Sequence, residues 1–216
     1  MLGYTHIAEG YLVGVAATSS YKGRLSKSDL RNLIAWGILC GYLPDLDALI
    51  YFWKKRSFQI ETDFRHHTWP THTLPVYIIL ASVIDLWGRW FNSDKVRLAA
   101  RMLLMGSAVH LLSDTLISGD GIMWKYPLDR KMTVVFNMDA HGLEFQGVVV
   151  KHPSFLIELA IIQVALLTWL KRRFSFFRNM NWHWAVLLIG IFNVFYYLFY
   201  VLSSNKKGRI ANEQDK

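Results

Sequence analysis

The chain has 216 residues, of which 53% are hydrophobic, 15% aromatic and only 19% charged. A mean hydropathy of +0.21 excludes a disordered chain and points away from an ordinary soluble domain, where about a quarter of residues are charged. The single cysteine, Cys40, excludes an intramolecular disulfide and any multi-cysteine metal site, and a net charge of +8 on so apolar a chain points to a membrane surface before nucleic acid.

Hydropathy divides the chain into six apolar segments, at roughly 7–21, 33–53, 74–91, 98–118, 153–170 and 184–202. The first is preceded by no basic stretch and carries His6 and Glu9 early, so it does not read as a cleavable signal. The second runs into Gly41-Tyr-Leu-Pro-Asp-Leu-Asp47, where Pro44 disfavours the helical conformation of Leu43 and predicts a helix end or kink. A histidine-rich stretch, His66-His67-Thr-Trp-Pro-Thr-His72, leads into the third. The fourth carries Gly106, Ser107, His110 and Asp114. Residues 119–150 hold five Gly or Pro positions (Gly119, Gly121, Pro127, Gly142 and Gly147) and the β-prone run Met132 to Phe136, which predicts an irregular connection with a short hairpin. The last two segments are the cleanest. Pro153 to Leu170 has Glu158 as its one charge and stops at Lys171-Arg172-Arg173, and Trp184 to Leu202 has no charge in 19 positions, enough to cross about 30 Å of hydrocarbon as a helix.

Only helices or closed barrels satisfy the backbone in lipid, and the long apolar runs lack the alternation of a barrel. The expectation is an all-α, polytopic membrane helical bundle of about four to six segments with a metal site near one membrane face. A soluble helical bundle carrying a two-helix anchor is the alternative. The chain divides into a membrane-embedded core over 1–130, an irregular connection over 131–152, a two-helix membrane hairpin over 153–204 and a disordered tail over 205–216.

Four places carry chemistry. His110 and Asp114 stand at i, i+4, about 40° apart on one helix face, so an imidazole and a carboxylate can converge on one divalent ion. The alternative is a polar pair joining helices, with Gly106 and Ser107 allowing close approach. Asp45 and Asp47 follow Pro44 at i, i+2, where one can be a ligand and the other a base, or both can be a cap and a solvated neighbour. His67 and His72 belong to a histidine cluster of the kind that binds metal, or that simply sits exposed in a loop; His66 stays undecided. His6 stands alone at a helix start. If the segments alternate direction through the membrane, all four places fall toward one face. A shared His/Asp metal site explains that coincidence, and its nitrogen and oxygen donors suit zinc, manganese or iron.

Thr5-His6, Leu43-Pro44-Asp45-Leu46-Asp47, His67-x4-His72-Thr-Leu and Gly106-x3-His110-Leu-Leu-x-Asp114-x-Leu, followed by Gly121 and Pro127, resemble the YdjM-like family of bacterial inner-membrane proteins, described as membrane-bound metal-dependent hydrolases. The resemblance covers about residues 1–130. The family pattern has a further His where Ala48 stands, and Arg-Gly where Thr68-Trp69 stand. The His-x3-Asp helix is also similar in outline to those of zinc phospholipase C and nuclease enzymes, which points to phosphoesters.

The expected function is therefore an integral, multi-pass hydrolase of the bacterial inner membrane. Its metal ligands are expected to be His6, Asp45, Asp47, His67, His72, His110 and Asp114, with Asp45, Asp47 and His110 as catalytic residues. The expected cofactor is one or two divalent ions, Zn2+ first and Mn2+ or Fe2+ next. The expected partners are the lipid bilayer and a small-molecule or lipid-linked substrate, with Trp124 and Lys125 lining its entrance. A metal-ion carrier or a non-catalytic metal-binding membrane protein is the rival, although paired broken helices or internal symmetry are missing. Nucleic acid is not an expected partner, because the positive residues fall in loops with no recognition helix. Lys and Arg are equally many on the two sides but denser in loops 22–31, 89–101 and 171–178, which predicts that those loops are cytoplasmic.

Overall fold

The computed structural model describes residues 3–55, 66–118, 121–137, 150 and 152–214. Their regular structure is helical apart from one two-stranded pairing and two isolated bridges, Lys22 with Leu25 and Ile122 with Thr133. The chain divides into two compact units, residues 1–146 and 147–216, and each is described by itself.

In the first unit α1 (Gly3–Ser19) and α2 (Lys27–Tyr42) form an antiparallel pair. Ser26 caps α2 by accepting the Asp29 amide at 3.1 Å, the helix start that a Ser-x-x-Asp pattern encodes. The two helices touch backbone to backbone through small residues. A Cβ on Gly10 would lie 2.4 Å from the Gly37 carbonyl oxygen, and one on Gly41 would lie 2.5 Å from the His6 carbonyl oxygen. Only glycine allows that approach, the device membrane helices use to pack closely.

At Pro44 the helix breaks, as the sequence requires, but Leu43 keeps a right-handed helical conformation at φ −58°, ψ −39°. The steric bias against that conformation before proline is overridden by a tightening of the chain. Residues Leu43–Leu46 form a 3₁₀ turn that leads into α3 (Asp47–Lys55). Two further 3₁₀ turns, His66–Thr68 and Pro70–His72, bring the histidine stretch to α4 (Leu74–Trp90). The Tyr77 hydroxyl donates to the Thr71 carbonyl at 2.6 Å and pins the second turn.

The longest helix of this unit, α5 (Asp94–Leu116), packs against α1, α2 and α4. Its buried side supplies Leu103 and Leu111 to a core with Cys40, Tyr77, Ala81 and Ile122. The Trp36 indole, on α2, donates to the Ala99 carbonyl of α5 at 3.0 Å. Beyond α5, β1 (Ile117–Ser118) pairs in parallel with β2 (Phe136–Asn137), and Ile122 bridges Thr133 antiparallel. The β-prone run from Met132 is thus paired, partly with the end of α5 instead of as a plain hairpin. Residues 138–149 and 151 lie outside the described set.

The second unit contains α6 (Phe155–Arg173), the one-turn α7 (Ser175–Arg178) and α8 (Trp182–Gln214). The helix α8 continues to Gln214, well into the tail from Asn205 for which the sequence predicts disorder. That stretch contains Lys, Arg, Ala, Glu and Gln, all good helix formers, and a helix already running needs no new nucleus to enter it.

Among the described residues, two helical stretches are long and apolar enough to cross a membrane: α5, and Trp182–Phe199 of α8. At about 1.5 Å per residue, the 17-residue helices α1 and α4 span about 26 Å, short of about 30 Å of hydrocarbon. The 19 residues of α6 end in Lys171-Arg172-Arg173.

Candidate metal centre

Seven side chains selected from sequence meet in the first unit. α1 brings His6, the 3₁₀ turn after α2 brings Asp45, and α3 opens with Asp47. The two turns before α4 bring His67 and His72, and the second half of α5 brings His110 and Asp114. All are buried except Asp45, which is 14% exposed and forms the outer edge of the cluster. The His6 and His110 rings stack at 3.7 Å, and His72 lies 4.8 Å from His67 and 5.5 Å from His110, centroid to centroid.

Three of the imidazoles are held the same way. His110 Nδ1 lies 2.8 Å from the Gly41 carbonyl oxygen, an atom that can only accept, so Nδ1 carries the proton. His6 Nδ1 donates to Glu9 Oε2 at 3.0 Å, and His72 Nδ1 faces Asp47 Oδ2 at 3.2 Å. Each ring therefore turns Nε2 inward. His6 Nε2 is 3.3 Å from Asp114 Oδ1, His110 Nε2 is 3.0 Å from Asp114 Oδ2 and 3.5 Å from Asp45 Oδ1, and His72 Nε2 is 3.4 Å from Asp45 Oδ1. His67 adds its Nε2 at 3.5 Å from Asp114 Oδ2. Metal-binding histidines are anchored in this manner, one nitrogen on a carboxylate or carbonyl and the other on the ion.

The fit to a cation follows from charge and from distance. A neutral imidazole with its proton on Nδ1 aims a lone pair from Nε2, and here those lone pairs would point at carboxylate oxygens. Glu9, Asp45, Asp47 and Asp114 bring four negative charges into one buried volume, which is costly unless cations balance them. The donor atoms of Asp45, His72, His110 and Asp114 all lie within 4.8 Å of one another. Four donors around one ion at about 2.1 Å stand about 3.4 Å apart, close to the 3.0–3.5 Å contacts found here. Until a metal displaces it, a proton serves as the counter-cation. Burial alone would lower the His72 pKa, but the Asp45 and Asp47 carboxylates overcome that and raise it to about 9.

These four residues could hold a metal ion. Asp47 stands apart, on the far side of His72, where it also accepts the Thr71 hydroxyl at 2.9 Å. His6 and His67 flank Asp114. Sequence reasoning missed the supporting groups: Glu9, Ser113, whose hydroxyl donates to Glu9 Oε1, Thr71 and the Gly41 carbonyl. Each lies three or fewer residues from a selected residue, or in a selected motif, so adjacency was the available signal. Trp124 donates its indole N–H to the Thr115 hydroxyl at 2.7 Å, next to Asp114, while Lys125 is exposed. The His66 side chain lies outside the described residues.

The residues that build the centre are those of a known family pattern, and a family model described as YdjM inner membrane protein matches residues 1–207. The chain belongs to the YdjM family. Its match covers all seven selected residues, the whole first unit and the second unit as far as residue 207. No curated protein and no solved structure matches it. Membership places this YdjM protein among inner membrane proteins, in keeping with its two membrane-length helices.

Proposed function

We propose that this YdjM protein is a multi-pass inner-membrane hydrolase that uses a divalent metal ion, zinc first and manganese or iron next, on a phosphoester or lipid-linked substrate. The observation that carries the reading is the common anchoring of His6, His72 and His110 through Nδ1, with every Nε2 turned onto Asp45 or Asp114. Asp45, His72, His110 and Asp114 would hold the ion. When bound, it supplies a Lewis acid that lowers the pKa of a water from about 15.7 toward 7 and polarises the scissile oxygen.

The chain's own residues divide the remaining work. Asp45 is the member open to solvent, so it is placed to take the proton of an attacking water as it arrives. Asp47 and Glu9 lock the tautomers and directions of His72 and His6. Asp114 has one oxygen toward His6 and the other toward His110 and His67, so it would hold the ion while orienting three imidazoles. Further membrane segments are supported by α4, where Ile79, Leu86, Trp87 and Trp90 are more than 60% exposed. Such an apolar face is expected against lipid and not against water.

A metal carrier is the second reading, favoured by the burial of His110 and Asp114 within a membrane-length helix, since such residues also mark ion pathways. The two separate by experiment. Purified protein incubated with a panel of phosphoesters and lipid-linked phosphates should show turnover that chelator abolishes and added zinc restores, with Asp45→Asn impaired. A full panel without metal-dependent turnover, from protein shown to contain metal, would favour the carrier.

A further inference from the structure

In the second unit a groove of about 300 Å³ runs between α6 and α8, lined by Leu166, Leu167, Leu170, Ala185, Leu188 and Phe192 among others. That volume is at the lower end of small-ligand sites, about 300–1,000 Å³. The α8 wall belongs to the stretch Trp182–Phe199, which is long and apolar enough to cross a membrane, so the groove runs along a segment suited to hydrocarbon. Its Leu170 and Met180 end adjoins a run of cations. Lys171 is fixed there, donating Nζ to the Met180 carbonyl at 2.5 Å and standing 4.5 Å above the Trp182 ring. Arg172 and Arg173 end α6 and Arg178 ends the short α7 that follows; all three are exposed, with no carboxylate ion pair among the described residues. Between Glu158 and Glu213 the sequence contains no acidic residue at all.

We propose that this groove holds one acyl chain of an anionic phospholipid, whose headgroup phosphate rests on the cationic rim formed by Arg172, Arg173 and Arg178. Apolar wall and basic mouth are joined in the order that such a lipid presents tail and head, and basic pockets between membrane helices are known to suit anionic headgroups. Charge complementarity also decides against a second copy of the chain, which would bring the same four cations to the contact. Its residues belong to the second unit and those of the metal centre to the first, so the proposal stands or falls independently of hydrolysis.

The test is lipid retention by the full chain. Protein reconstituted in vesicles of phosphatidylethanolamine and phosphatidylglycerol is extracted in mild detergent, and the phospholipid it keeps is identified by native mass spectrometry. Wild type should retain phosphatidylglycerol in preference. Each cation near a membrane surface is worth about a fivefold preference, so Arg172→Gln with Arg173→Gln and Arg178→Gln should reduce it about a hundredfold. Ala185→Phe, which puts a bulky ring at a small lining residue, should lose retained lipid with the arginines intact. Removing the same charge elsewhere, by Lys22→Gln, Arg24→Gln and Lys27→Gln, should change nothing. Indifference of wild type to headgroup charge, full retention by Ala185→Phe, or an equal loss in the control variant would each overturn the proposal.

Discussion

Glu9 is the sharpest probe of the centre, because it would act on a bound ion only through His6 and the Asp114 carboxylate that His6 faces. Its carboxylate is 4% exposed and accepts from both His6 Nδ1 and the Ser113 hydroxyl. Glu9→Gln keeps the shape and leaves an amide oxygen for His6 and an amide N–H for the Ser113 oxygen, so only the charge is removed. Hydrogen bonds to charged groups are worth about 1.5–3 kcal/mol against about 1 for neutral ones, a difference of about 0.5–2 kcal/mol. That corresponds to about 2–30-fold in metal affinity, overlapping the about 10–100-fold found for groups that support metal ligands from outside. Glu9→Ala should cost more, since it leaves a buried imidazole N–H and a buried hydroxyl without their acceptor. The assay is competition with a chromophoric chelator for zinc, using purified protein in detergent, with His110→Ala as the variant that should lose the ion. Affinity of Glu9→Gln equal to wild type, in a preparation where His110→Ala binds none, would refute the role given to Glu9.

Acidity gives a second prediction. Because Asp45 and Asp47 hold the metal-free His72 pKa at about 9, a metal must displace a proton from it at neutral pH. Zinc affinity should therefore climb through pH 9, by up to about tenfold per unit for each proton displaced; a plateau reached already near pH 6.5 would sink this. Gly41→Ala places a Cβ 2.5 Å from the His6 carbonyl oxygen and should destabilise the fold by about 1–3 kcal/mol while loosening the metal. Unchanged thermal stability would contradict the close packing of α1 on α2. For orientation, cysteines placed at Ser175 and Ser204 should differ toward a membrane-impermeant thiol reagent in intact cells, with 204 labelled and 175 protected; Cys40 is fully buried and stays silent. Labelling at 175 alone would reverse the topology, and labelling at both or neither would remove the last span.

Much of the centre was legible because ionisable side chains in apolar helices are rare and must have a reason. His110 and Asp114 share a face by helical spacing alone, and Asp45, His67 and His72 stand out beside Pro44 and Pro70. The sequence does not show which atom of each ring faces inward. That is set by Gly41 and Glu9, whose partners lie on other helices or across a helical turn, and neither a carbonyl nor a lone glutamate advertises such a task. Asp45 and Asp47 look equivalent in sequence, yet the 3₁₀ turn sends one to the solvent edge and the other behind His72. Hydropathy located α1, α4 and α6 well but says little about how many of them reach across a bilayer. That depends on length and on what their polar faces meet.

The contact between Glu9 and Ser113 spans 104 residues of chain. At a synthesis rate of about 5–20 residues per second, α1 is made about 5–20 s before the helix that completes its polar face. For that interval His6 and Glu9 have only each other among the partners seen in the finished centre. The polar interior of the first unit therefore cannot close until α5 arrives, and the order of manufacture makes the helix that carries His110 and Asp114 the step at which the unit can commit to its final packing.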